Sequence, residues 1–90
     1  MAWELAPATI RRGESVRWWL YWPEYPGIQV FQARPVTTST GISINSELRI
    51  SDVSFEWQPV INPGYYYHFT VTLVGGFSPA TYRIRGTKVD

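Results

Sequence analysis

Ninety residues with a formal net charge of +1 and no cysteine describe a single domain held by packing alone, to which neither a disulfide framework nor a thiolate metal site is open. Charges that are nearly balanced and scattered singly exclude the concentrated basic stripe that nucleic acid or an acidic membrane requires. A chain this short needs an efficient core, and its resource is aromatic: five Trp, six Tyr and four Phe, each able to bury about 150–250 Å².

Trp3 to Ile10 alternates loosely around Pro7, which cannot donate to a ladder, so an edge strand is expected there. Arg11-Arg12-Gly13 reads as a turn. Glu14 to Trp22 reads as a strand with Val16, Trp18, Leu20 and Trp22 on one face. Its other face carries Arg17, Trp19 and Tyr21, which are either covered by a second layer or form an exposed aromatic patch. Pro23 to Gly27 is a loop, because two prolines and a glycine leave no ladder to continue. Ile28 to Arg34 is a third strand, stopped at Pro35. Val36 to Ser46, rich in Thr, Ser, Gly and Asn, reads as a long loop with room for one short strand at Ile42 and Ile44.

Glu47 to Trp57 is a strand whose apolar residues change parity: Leu48 and Ile50 are even, Val53, Phe55 and Trp57 odd. A regular strand cannot send both sets to one face, so a bulge or corner is expected near Ser51-Asp52, where the chain has a chance to cross between sheets. Pro63-Gly64 and Gly75-Gly76 then bracket the clearest strand of the chain. Its odd positions, Tyr65, Tyr67, Phe69, Val71 and Leu73, make a core row; the even Tyr66, His68, Thr70 and Thr72 make a row able to meet water. After a turn over Gly75 to Pro79, Ala80 to Val89 gives a last strand with Tyr82 and Ile84 inward and Thr81, Arg83 and Arg85 outward. No segment of ten residues shows helical periodicity. Short strands about ten residues apart, with turns between them, predict an all-β, two-sheet antiparallel sandwich of about seven strands, a small closed barrel being the rival.

The segment Ile61, Pro63, Gly64 and Tyr67, continued by Phe69 and Val71, resembles the entry to the F strand of fibronectin type III and related immunoglobulin-like modules. The resemblance implies that Tyr67 makes the corner hydrogen bond of that family. Ser15-Val16 followed by Trp22-Pro23-Glu24 is similar to its B strand and the loop after it, and Gly76-Phe77-Ser78-Pro79 to the turn into its G strand. Three tryptophans, Trp18, Trp19 and Trp22, stand where such modules carry one. Glu47 to Trp57 and Tyr65 to Leu73 also suit one long hairpin, which resembles bacterial surface modules related to this sandwich. Such modules point to an extracellular or cell-surface setting. The N-terminal residues lack the basic and apolar regions of a signal peptide, and no later stretch is long and apolar enough for a membrane span.

Chemistry is sparse. His68 is the sole histidine, set mid-strand among threonines, and reads as a strand residue rather than a catalytic base. Zinc needs three or four ligands, which this composition does not supply. The carboxylates Glu4, Glu14, Glu24, Glu47, Asp52, Glu56 and Asp90 show no pairing by spacing, and so small a sandwich is expected to leave little room for a cleft of about 300 Å³. Arginines such as Arg17, Arg83 and Arg85 read as solubilising strand residues, the acids arguing against single-stranded nucleic acid as a ligand. The aromatics remain. Trp19, Tyr21, Trp22, Tyr25, Tyr65 and Tyr66 cannot all be buried if Trp18, Leu20, Tyr67 and Phe69 fill the core. The expectation is a non-catalytic, immunoglobulin-like interaction or structural module with no metal or cofactor, whose binding residues are Trp19, Tyr21, Tyr25 and Tyr66. Its partner is a protein or a second copy of itself. The alternative is a small carbohydrate-binding module or lectin that stacks sugar on the same rings, and the bland reading is that the rings only pack on one another and on arginine stems.

Overall fold

The computed structural model describes residues 2–36 and 46–89; the expected short strand at Ile42 and Ile44 lies outside them. Alternation of apolar and polar residues divides the described chain into seven strands: β1 (Ala2–Glu4), β2 (Ala8–Ile10), β3 (Ser15–Trp22), β4 (Gln29–Pro35), β5 (Glu47–Gln58), β6 (Gly64–Gly75) and β7 (Ala80–Lys88). They form two antiparallel sheets, so the sandwich and not the closed barrel is the architecture. In one, β7 runs between β4 on one side and β1 with β2 on the other; in the second, β6 runs between β3 and β5.

Pro7 acts as the sequence anticipates. It splits one edge strand into β1 and β2, both antiparallel to β7, with Trp3 opposite Gly86 and Thr9 opposite Thr81. The chain stays aligned between the halves because the Leu5 amide donates to the Ile84 carbonyl (3.0 Å) and the Arg83 guanidinium donates to the Leu5 carbonyl (3.1 Å).

The period-2 pattern of β6 and β7 builds the core. Tyr67, Phe69, Val71 and Leu73 from β6 face Ala80, Tyr82 and Ile84 from β7, with Ile10 and Phe31 completing the buried cluster. Each large side chain so buried contributes about 1.5–3 kcal/mol. Phe31 stacks on Phe69 with centroids 4.7 Å apart, and Trp18 stacks on the other side of the cluster while its indole N–H donates to the Tyr82 hydroxyl (3.1 Å). Tyr65, the first of the odd row, is only half-buried.

The parity change in β5 is a bulge. The register with β6 shifts between Ser51 and Ser54, and Asp52 takes φ 53°, a left-handed conformation that Asp tolerates better than most residues. Arg17 reaches across β6 to donate to the Asp52 carbonyl (3.0 Å) and the Thr70 hydroxyl (3.2 Å), which holds the bulge. The expected crossing between sheets does not occur: β5 stays on β6 from Glu47 opposite Gly75 to Gln58 opposite Gly64, as one long hairpin. The bulge restores the inward set instead of redirecting the chain. Two further expectations fail. Tyr67 makes no corner bond, since its hydroxyl donates to the Gly27 carbonyl (3.0 Å) and accepts from the Gln29 amide (3.2 Å), tying β6 to the β3–β4 loop; Tyr66 makes the short-range bond, to the Asn62 carbonyl (3.0 Å). Nor does the turn before β7 lead to a strand beside β6, because β7 lies in the opposite sheet.

β5 and β6, twelve residues each, outrun the other sheet, whose longest strand is the nine residues of β7. The longest molecular axis is 43 Å, close to the roughly 40 Å expected of twelve extended residues. The radius of gyration, 14.2 Å, exceeds the roughly 12 Å of a compact chain this size. One end of the hairpin therefore overhangs the sandwich.

Two predictions test the interior. A Cβ at Gly86 meets the Trp3 indole, so Gly86→Ala is expected to cost about 1–3 kcal/mol in urea unfolding; in a Trp3→Ala background most of that added cost disappears, giving a non-additive cycle. Burial pushes the Tyr82 phenol above its ordinary 10.0, with the Trp18 hydrogen bond pulling the other way. Below pH 10 folded and unfolded chains both hold this proton; above it the unfolded chain loses it first, so stability falls as pH rises beyond about 10. Tyr82→Phe makes that alkaline loss shallower in pH-dependent melts, while leaving the Trp18 N–H without its acceptor at a neutral-pH cost of about 1–3 kcal/mol.

Candidate functional site

The outer face of the β3-β6-β5 sheet carries the first set of candidate residues. Strand register places Trp19 opposite His68 and Ser54 beyond it, and in the next row Tyr21 opposite Tyr66 and Glu56 beyond it. Three aromatic rings thus share one patch, Trp19 and Tyr21 lying 5.7 and 5.2 Å from Tyr66 between centroids. Exposure divides their roles. Trp19 is 62% exposed and Tyr21 43%, but Tyr66 only 7%, so Tyr66 is the floor of the patch and not the free contact that the water-facing row of β6 suggests. Trp19 and Tyr21 pack against its ring, and its hydroxyl is engaged with Asn62.

Polar groups border this floor. His68 Nε2 lies 2.9 Å from Glu56 Oε1, both side chains partly open to solvent, and the His68 ring stacks on Tyr66 at 6.4 Å. The Tyr21 hydroxyl donates to the Pro63 carbonyl (2.9 Å), which fixes that ring in place. Spacing in the sequence gives no sign of the Glu56–His68 pair, because it depends on the register across the bulge.

Tyr25 stands apart from the other three. It projects from the β3–β4 loop over the overhanging end of the hairpin, on the inner face, where its ring meets Phe55 (6.1 Å) and Tyr65 (5.7 Å) edge-on. Trp57 joins the group through Tyr65 at 6.5 Å. Tyr25 is 60% exposed, Trp57 55% and Phe55 42%. These β5 aromatics share the inner parity of the core but extend past the sheet that would cover them. The alternation of β5 marks Phe55 and Trp57 only as strand residues; the signal for their exposure is that β5 and β6 suit a long hairpin, longer than any neighbour.

Between the β4 and β5 edges an open groove of about 700 Å³ is lined by residues that include Phe31, Arg34, Leu48 and Ile50. It lies open because β4 and β5 are edge strands of different sheets and do not pair. Among the described residues, no group of three or more His, Asp or Glu side chains is placed to hold a metal ion. No protein-family model matches the chain, and neither does any curated protein or solved structure.

The division between floor and free ring is testable by stability alone. Tyr66→Ala removes a buried ring and is expected to cost about 3–5 kcal/mol. Trp19→Ala is expected to cost only about 0.5–1.5 kcal/mol, the scale of one aromatic pair at an exposed site. Chemical denaturation of the two variants reads the difference directly.

Proposed function

We propose that this domain is a non-catalytic, immunoglobulin-like module that binds a protein partner through the outer face of its β3-β6-β5 sheet, with Trp19 and Tyr21 as the anchoring side chains. The observation that carries the proposal is the pairing of two exposed rings with a buried aromatic floor. A rigid Trp and Tyr held by packing lose little freedom on binding, and such side chains dominate the energetics of protein interfaces. Tyr66 contributes by position and Tyr25 belongs to a separate surface.

Strand order supports the immunoglobulin-like assignment. In that family one sheet holds strands B, E and D and the other C, F and G. The order β3-β6-β5 matches B-E-D and the β4–β7 pair matches C–F, so β6 corresponds to E and not to the F strand that its sequence resembles. The seat of G beside F is filled by β1 and β2, antiparallel to β7 as a G strand would be.

A second reading, a carbohydrate-binding surface, is favoured by the Glu56–His68 pair next to the exposed rings, since sugars are held by a ring against their apolar face and polar groups at their hydroxyls. The two readings separate when immobilised domain is probed in parallel with a phage-displayed peptide library and a glycan array. Peptides enriched by the wild type and lost with Trp19→Ala or Tyr21→Ala, in variants that remain folded, support protein binding. Glycan signals that depend on the same two residues, with no peptide enriched, transfer the surface to sugar.

A further inference from the structure

The overhanging end of β5 offers a second surface, independent of the outer-face patch. From Asp52 to Gln58 every residue is exposed, and among the described residues no strand pairs with the edge of β5 that faces away from β6.

Two of the other free edges carry features that discourage pairing, Pro7 interrupting the β1–β2 edge and Arg34 with Pro35 ending β4, and the β3 edge carries Arg17. The segment from Val53 to Trp57 has no proline and no lysine or arginine, and its inner face presents Val53, Phe55 and Trp57 in succession. A long apolar edge of this kind is a template for another strand. We infer that the occupant is a second copy of this chain, and that β5 pairs with β5 antiparallel about a two-fold axis through Phe55.

Three observations select a copy of the same chain. The segment is self-complementary: an axis at Phe55 sets Val53 opposite Trp57 of the second copy and keeps both inner faces on one side of a continuous six-stranded sheet. Charge agrees with that register, since Glu56 falls opposite Ser54 and Asp52 opposite Gln58, so no two carboxylates meet. Area agrees as well. At about 150–250 Å² for a whole aromatic side chain, the exposed fractions of Tyr25, Phe55 and Trp57 amount to about 300 Å². Val53, Val60 and Ile61, the last two 77% exposed at the hairpin tip, roughly double this, approaching the ~800 Å² that each partner contributes to a standard interface once the paired backbone is added.

The absence of native cysteine makes the register directly measurable. Directly opposite residues of an antiparallel pair have Cα atoms about 4.5–5.5 Å apart, within the range a disulfide spans. Phe55→Cys is therefore expected to form a disulfide-linked dimer under mild oxidation, whereas Ser54→Cys, whose equivalent lies diagonally across the axis, is not. Light scattering of the unmodified domain from about 10 to 1000 µM is expected to show mass rising towards a dimer, and Val53→Lys or Trp57→Lys to weaken association at least about tenfold. Trp19→Ala leaves it unchanged, which distinguishes this surface from the outer-face patch. Circular dichroism confirms that each variant is folded; Val53→Lys, at a half-exposed bulge position, keeps the test available if the Phe55 variant is not. A domain monomeric throughout the series, a dimer indifferent to both lysine substitutions, or a dimer that cross-links through position 54 and not 55 overturns the inference.

Discussion

The contact of Phe31 with Phe69, two stacked rings with centroids 4.7 Å apart, lies at the centre of the contacts that join the two sheets of this domain. Phe31 comes from an edge strand and Phe69 from a central one, and Tyr67 meets the same Phe31 ring edge-on at 5.1 Å. With no disulfide and a core of nine buried side chains, the sheets are held by dispersion and exclusion of water across this gap, which favours large flat rings over many small residues. The hydrogen bonds that cross the same region, from Trp18 to Tyr82 and from Tyr67 to Gly27, satisfy the polar ends of rings whose bodies are apolar. Aromatic density thus serves as the substitute for size.

That solution has a geometric consequence. A core built from the inner faces of β6 and β7 is only as long as the shorter sheet, and the β5–β6 hairpin continues beyond it. Residues of the correct parity for the core, Phe55, Trp57 and Tyr65, then have no opposing sheet, and Tyr25 covers them only in part. On the outer face, where no second layer stands among the described residues, Trp19 and Tyr21 pack against the buried Tyr66 but remain open themselves. Both aromatic surfaces arise from one imbalance, more apolar ring area than two unequal sheets can enclose.

How much of this was legible follows from which interactions are local. The alternation of β6 and β7 announced their buried rows because a strand facing a core carries its own period. The bulge was legible for the same reason: Leu48 and Ile50 cannot share a face with Val53, Phe55 and Trp57 unless a residue is inserted. Strand pairing was legible only for the β5–β6 hairpin, since beyond it no local pattern distinguishes β6 beside β7 from β6 beside β3. The Tyr67 segment shows the difference sharply. Pro63-Gly64 and the spacing to Tyr67 are those of a corner, yet the hydroxyl engages a loop forty residues away while its neighbour Tyr66 takes the local bond. A turn motif specifies backbone; the destination of a long side chain depends on what the fold brings near.

Tyr66 makes the same point for the candidate site. Its place in the row with His68, Thr70 and Thr72 marks the face that meets water, and the strand does turn that face outward. Burial of a side chain on an open sheet face depends on the size of its cross-strand neighbours, however, and here these are Trp19 and Tyr21. A sheet face flanked by threonines would leave a central tyrosine exposed; one flanked by a tryptophan and a tyrosine makes it a floor. The rings that stay exposed are consequently those on the edge strand, supported on one side only, and it is this one-sided support that leaves an apolar surface standing in water without a cavity beneath it.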